Sequence, residues 1–338
     1  MTTLAIVGAG VMGAAMCLPA RDRGHEVRLI GTHLDCEIIE NMRATGLHPK
    51  LQVVLPEGVG SYHHGAMGEA LRGTDLIILG VSSLGVNWAI DRLCEHLTKP
   101  IPVVMLTKGM YPETNTLTAL PDHVAREVER RTGMTLEIAA VGGPCIAAEL
   151  AVRRHTGTVI AARKLDLAQR LGALFETAYY HPRASADLVG VEACAAFKNF
   201  FAIAVGWAGD NHNAAAIIFV QAISEMMAII RALGGSDAAV LGMAGVGDLY
   251  VTSLAGRNSR LGNFLGQGLT YRQAISGPMR GETIEGADLG IAAAGTLREM
   301  MLQGKLAASA LPLTRALLAA LTGDRTLDLP WADFHRQE

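Results

Sequence analysis

The stretch Gly190–Asp210, GVEACAAFKNFFAIAVGWAGD, sets Lys198 and Asn199 in the middle of one long apolar segment. Ala195, Ala196, Phe197, Phe200, Phe201, Ala202, Ile203 and Val205 leave no wide polar face. A helix that is apolar nearly all round is expected to be buried. A lysine there needs a partner, and desolvation favours its neutral amine, so Lys198 is a candidate to pass a proton near neutral pH. The plainer alternative is that its stem lies along the core and its amine reaches the surface. Farther along, GMAGVGDLYVTSLAGRNSRLGNFLGQG reads as a Gly-rich loop carrying Asp248, with Thr252 nearby. Asp248 either pairs with and orients Lys198 or closes an Asx-turn. Arg257-Asn258 precede a short helix. An arginine suits two-pronged phosphate contact and a helix start favours anions, while Asn258 or Ser259 would serve equally as a helix N-cap.

A second kind of chemistry stands at the other end of the chain. Thr3–Val7 is an apolar strand running into Gly8-Ala9-Gly10-Val11-Met12-Gly13, a helical pattern over Ala14–Arg23, and a further strand over Glu26–Ile30. Strand, GxGxxG, helix and strand within about thirty residues is the setting in which that motif binds a dinucleotide. Gly8 permits the tight turn, Gly10 admits the pyrophosphate to the backbone, and Gly13 lets helix and strand pack closely. Pro19 should kink that first helix. A carboxylate at the end of the second strand would favour NAD. Here stand Gly31-Thr32-His33, and the first acid, Asp35, comes a few residues late. Thr32 and His33 tolerate a 2′-phosphate, so the cofactor is NAD or NADP, with the strand end favouring NADP or dual use.

These groups need a sheet to hold them. Leu76–Val81, Val103–Leu106 and Ile138–Val141 are continuous apolar runs, as central parallel strands should be. Ligands lie beyond the carboxyl ends of such strands. Ser82, Ser83, Lys108, Gly143 and Ala147 therefore belong to one rim. Helices are expected at Leu84–Leu97, Thr116–Arg131 and Leu165–Glu176, and strands at Thr158–Ala161 and Tyr179–His181. From Leu188 the alternation gives way to helices alone, including Ala214–Leu233 closed by Gly234-Gly235, and Pro312–Leu321. That shift marks a domain boundary. The expected architecture is an α/β N-terminal Rossmann-type domain with a mostly parallel sheet over residues 1–188, and an all-α domain over residues 189–338. The tail Trp331–Glu338 is an oligomer contact or frayed.

The composition narrows the remaining classes. The chain has 338 residues with 38 glycines, a formal charge of −3, and 18% charged side chains. Nothing in that balance draws it to nucleic acid or an anionic membrane. No uninterrupted apolar run reaches the roughly 20 residues of a membrane span, and no basic leader precedes the first strand. The five cysteines, Cys17, Cys36, Cys94, Cys145 and Cys194, are scattered and form no CxxC. Free thiols in a reducing, cytoplasmic setting are expected, and the histidines lack the spacing of a metal site.

Taken in order, GAGVMG (Gly8–Gly13), TKG (Thr107–Gly109), GGPCIAAELA (Gly142–Ala151), GVEACAAFKN (Gly190–Asn199), GVGDLYVTSLAGRNSRLG (Gly245–Gly262) and Glu285-Gly286 resemble the NAD(P)-dependent sn-glycerol-3-phosphate dehydrogenase family along nearly the whole chain. The resemblance implies that Lys198 is the acid/base for reduction of dihydroxyacetone phosphate, supported by Asp248, Lys108 and Thr252, with Asn199 beside it. It implies that Arg257 and Asn258 hold the substrate phosphate, and that Lys108, Gly143 and Cys145 touch the substrate. Val11, Met12, Thr32, Ala147, Thr283 and Glu285 fall on cofactor positions, and Arg257 lies near the cofactor. It also implies a homodimer, in keeping with the prevalence of twofold assemblies. Three features depart from the family pattern: Cys145 replaces a Ser, Thr or Asn, Ser82-Ser83-Leu84 replaces Pro-Ser-Gln, and Asp35–Tyr62 lacks a Tyr-Leu-Pro-Gly stretch. Dehydrogenases acting on keto acids or on another phosphorylated polyol, and a non-catalytic dinucleotide sensor, share enough of the pattern to stand as alternatives.

Overall fold

The computed structural model describes residues 1–334 and divides into two compact units, Met1–Lys108 with Leu120–Leu188, and Gly109–Ala119 with Val189 onward. In the first unit, the main sheet has eight strands. They are β1 (Thr3–Val7), β2 (Glu26–Ile30), β3 (Val59–Tyr62), β4 (Leu76–Leu79), β5 (Val103–Met105), β6 (Ile138–Gly142), β7 (Thr156–Ala162) and β8 (Tyr180–Ser185). Their spatial order is β8-β7-β6-β5-β4-β1-β2-β3, and every neighbouring pair is parallel except β6 with β7. This is the mostly parallel, Rossmann-type sheet that the alternation of apolar runs and helical patterns predicts.

The central strands β4, β5 and β6 are apolar and buried along their whole length because both faces of the sheet are covered there. Leu4 and Ile6 join Ala15, Leu18, Ile39 and Ala168 on one side, while Ala5 and Val7 join Val86, Ile90, Val124 and Val128 on the other. Strand order reverses where β1 lies between β2 and β4. At that switch point the loops leaving two adjacent carboxyl ends turn away from each other and open a crevice. The Gly8–Gly13 loop leaves β1 at that place.

Several local expectations change. The first helix begins at Val11, not Ala14, and continues through Pro19 to Asp22. No helix starts at Thr116. Met110–Pro112 and Leu117–Ala119 form a hairpin, with Met110 opposite Ala119, and the helix runs over Leu120–Thr132. The period-two alternation of Leu117, Thr118 and Ala119 fits a strand, and Pro121 suits a helix start. This hairpin belongs to the second unit, so that unit is helical but not all-α. Between Asp35 and Tyr62 the chain makes a helix (Cys36–Thr45), a small hairpin (Leu47–His48 with Val53–Val54) and edge strand β3, none signalled by a long apolar pattern.

In the second unit, the apolar segment is one helix, Leu188–Trp207, followed by His212–Ala232, which Asn211 caps. By length and composition both helices could cross a membrane, contrary to the reading from uninterrupted runs. Lone polar residues such as Lys198 and Glu225 interrupt a run without making a helix polar on average. The first of these helices is mostly buried, and the second is buried over less than half of its apolar window. The tail through Phe334 packs on its own unit, with Trp331 against Trp207 at 6.0 Å, while residues 335–338 lie outside the described residues.

Glu225, fully buried on the second helix, ties this unit together. Its carboxylate accepts from Leu313 N and Thr314 N at 2.6 Å each, from Thr314 Oγ1 at 2.6 Å and from Gln221 Nε2 at 2.8 Å. It thereby satisfies the open amides of the helix Pro312–Gly323. Glu225→Ala should destabilise the chain by about 2–4 kcal/mol, the cost of stranding several buried donors. Glu225→Gln should rescue little, because its NH2 would face donors. Denaturant unfolding of the two variants checks this, and a Gln variant as stable as the parent would contradict it.

Candidate active site

The parallel registers of β1, β2, β4, β5 and β6 put their carboxyl ends along one edge of the sheet. Gly8, Thr32 with His33, Ser82, Lys108, Gly143 and Cys145 follow those ends. Gly8 has φ +111°, and a Cβ there would lie 2.7 Å from the Gly80 carbonyl carbon. A Cβ on Gly13 would overlap the Gly8 carbonyl. At Gly10, by contrast, a Cβ would meet nothing within 4 Å. The loop is therefore packed from behind at Gly8 and Gly13 and open at Gly10, where the amides of a 12-residue helix begin. Such a cradle fits a dinucleotide diphosphate.

Around the cradle, Lys108 Nζ donates to Gly143 O at 3.5 Å and Thr107 Oγ1 donates to Val81 O at 2.8 Å. The Cys145 sulfur lies 4.0 Å from the Met12 sulfur. Ala147 opens the helix Ala147–Ala151. His33 packs its ring at 5.8 Å from Trp88. Asp35, read as too late to serve the strand end, folds back to it. Its Oδ2 accepts from Thr32 N and Thr32 Oγ1, both at 2.8 Å, and from Ala9 N at 3.3 Å.

In the second unit, Lys198 is 7% exposed, so the snorkelling alternative fails. Its Nζ donates to Asp248 Oδ1 at 2.8 Å and to Thr252 Oγ1 at 2.6 Å. Asp248 is not on a loop. Met243–Gly247 forms one π-helical turn, and Asp248 starts the helix Asp248–Leu254. Asp248 and Thr252 stand four residues apart and so share a helical face. An Asx-turn is thereby excluded. Arg257 and Asn258 likewise form the first turn of the helix Arg257–Gly266, which Gly256 caps at φ +113° in place of Asn258 or Ser259.

Asn258 is buried and its amide is engaged at both ends. Nδ2 donates to Asn199 Oδ1 at 3.1 Å, and Oδ1 accepts from Gly286 N at 2.9 Å. Close backbone contact makes this possible. A Cβ on Gly286 would overlap the Asn199 carbonyl, and one on Gly262 would overlap that of Ile203. Arg257 forms an ion pair with Glu285, both half-exposed, and Thr283 is exposed two residues before Glu285. Burial and the Glu285 charge hold the nearby Asp288 carboxyl above the usual aspartate range, with Arg257 pulling the other way.

The family model described as NAD-dependent glycerol-3-phosphate dehydrogenase N-terminus matches residues 3–168, and that of the same enzyme's C-terminus matches residues 187–329. The chain belongs to the NAD-dependent glycerol-3-phosphate dehydrogenase family. An NADP(+)-dependent glycerol-3-phosphate dehydrogenase of Archaeoglobus fulgidus is 34% identical over 283 residues, 80% of this chain and 82% of its own. A glycerol-3-phosphate dehydrogenase [NAD(P)+] of Shouchella clausii is 30% identical over 85% of this chain and 84% of its own. The crystal structure of glycerol-3-phosphate dehydrogenase from Coxiella burnetii superposes with a TM-score of 0.80 at 25% identity, over 96% of each chain.

For this member of the glycerol-3-phosphate dehydrogenase family, the sequence does not single out two buried side chains, Glu192 and His48, and sets Asp35 too far from the strand end. Glu192, on the Lys198 helix and fully buried, accepts from Gly109 N at 2.8 Å. A lone acid in the apolar run GVEACAAF was the available signal. The buried His48 gave none, and the contacts of both His48 and Asp35 depend on how residues 31–55 fold. Removing one partner of a buried ion pair costs about 3–5 kcal/mol, so Asp248→Ala should destabilise the chain on that scale. Asp248→Asn, which keeps an acceptor for Lys198, should cost less. Unfolding midpoints that rank the two variants the other way would contradict this account of the pair.

Proposed function

We propose that the chain catalyses the reversible, NAD(P)H-dependent reduction of dihydroxyacetone phosphate to sn-glycerol 3-phosphate, with Lys198 as the acid/base. The observation that carries this is the buried Lys198 amine held by Asp248 and Thr252 in a chain of this family. The Gly8–Gly13 cradle, with Val11, Met12, Thr32, His33, Ser82, Lys108 and Ala147, would hold the cofactor. When bound, the reduced nicotinamide supplies the hydride for the C2 carbonyl.

The protein's own part is electrostatic and protonic. Lys198 Nζ gives a proton to the oxygen at C2 as negative charge develops there, and takes it back in the reverse direction. Asp248 supports the ammonium against the cost of its burial and, with Thr252, aims it. Arg257 offers the substrate phosphate a planar guanidinium. Asn258 adds its remaining N–H and, through Asn199 and Gly286, keeps the phosphate end in register with Lys198. Lys108, Gly143 and Cys145 complete the substrate contacts. A thiol at position 145 is a weaker hydrogen-bond donor than a hydroxyl, and together with Ser82-Ser83-Leu84 it favours, as second reading, a related small phosphorylated polyol.

The reading extends to a soluble, cytoplasmic homodimer. Its supports are the scattered free cysteines and the exposed apolar residues Ile217, Val220, Tyr250 and Leu254. A solution mass of one chain would remove the dimer from it.

The deciding assay follows loss of reduced-nicotinamide absorbance with dihydroxyacetone phosphate, comparing NADH and NADPH. Lys198→Ala should lower kcat by about 10²- to 10⁴-fold while leaving cofactor affinity intact, and near-normal turnover would sink the assignment. In the same assay Arg257→Ala should mainly raise KM for the phosphorylated substrate. An unchanged KM would remove Arg257 from the phosphate site.

A further inference from the structure

The dinucleotide loop has no polar side chain of its own to hold it, since Gly8, Ala9 and Gly10 bring only backbone. Its middle residue is nevertheless gripped at both peptide groups. Ala9 O faces His48 Nε2 at 2.9 Å, and Ala9 N donates to Asp35 Oδ2 at 3.3 Å. The His48 ring is fully buried, and its other nitrogen, Nδ1, accepts from Leu51 N at 3.0 Å. A ring nitrogen that accepts carries no hydrogen, so the single N–H of the neutral ring is on Nε2 and donates to Ala9 O. Asp35 is anchored in turn by Thr32 N and Thr32 Oγ1.

We propose that His48 and Asp35 are positioning residues for the cofactor, clamping the Ala9 peptide so that the loop and the helix start at Val11 stay preorganised for the diphosphate. The proposal rests on dinucleotide binding at this loop. His48 is fully buried and acts through Ala9 without touching the ligand itself. Gly8 at φ +111° and Gly10 at the open side are the residues with the most conformations to lose on ordering. Fixing the peptide between them removes that cost from binding. The clamp is built by the Asp35–Leu55 segment, which otherwise has no place in the chemistry.

Two substitutions separate the clamp from local structure. In His48→Asn the amide oxygen can replace Nδ1 and keep the Leu51 contact, but no donor reaches Ala9. In His48→Gln the amide NH2 can replace Nε2 and keep the Ala9 contact, while the Leu51 contact is lost. Dissociation constants for NADH and NADPH, read from cofactor fluorescence, should rise roughly tenfold for His48→Asn, the effect of one lost buried hydrogen bond. They should stay within about twofold of the parent for His48→Gln, and kcat at saturating cofactor should be unchanged in both. Parental affinity in the Asn variant, or equal losses in the two, would overturn the clamp. Should the Asn variant not fold, Asp35→Ala tests the same clamp through the Ala9 N–H, with the same tenfold loss expected and unchanged affinity counting against it. A parent chain that binds neither dinucleotide would overturn the cofactor reading itself.

Discussion

A lysine 7% exposed to solvent, its amine held by a carboxylate at 2.8 Å, is the constraint around which the second unit is organised. Such a pair contributes little net stability and becomes costly the moment either partner is displaced. The structure therefore has to hold Asp248 in place from a separate helix. The π-helical turn at Met243–Gly247 leads directly into that helix, and Thr252, one turn later, closes the arrangement. Turns of this kind recur at functional sites because they redirect a side chain without ending the helix.

The same lysine helix sets the place of Arg257 and Asn258 by direct backbone contact. Gly262 lets the Arg257–Gly266 helix press onto Ile203, and Gly286 lets the next helix start against Asn199. Asn258 then joins the two with hydrogen bonds to Asn199 and Gly286. Where helices meet through glycine, no flexible side chain intervenes, and the distance between Lys198 and the start of the Arg257–Gly266 helix is set by backbone packing. In the first unit the equivalent constraint is the strand-order reversal at β1, which opens the crevice, and the packing behind Gly8 and Gly13, which shapes its floor.

Much of this was legible in the residues. The strand, GxGxxG and helix frame, the buried character of the Lys198 helix and the change from alternation to helices at Leu188 all follow from hydrophobic periodicity, which is local. Element ends were less secure. The Gly-rich segment before Asp248 reads as a loop because glycine disfavours helices in isolation, yet packing makes it helical. The second hairpin strand, Leu117–Ala119, reads as part of a helix because a three-residue alternation is short beside a longer amphipathic pattern.

By itself, then, the sequence determined the fold class, the dinucleotide loop and the candidate acid/base, since each is carried by contiguous residues with a period or a spacing. Only the tertiary structure decided which groups meet. Lys198 and Asp248 are 50 positions apart, and Ala9 and His48 are 39. A hydrogen bond over such a separation is specified by the whole path of the chain between its ends. No local propensity records it, and a lone aspartate or histidine looks the same in the sequence whether it caps a turn or bonds to a distant loop.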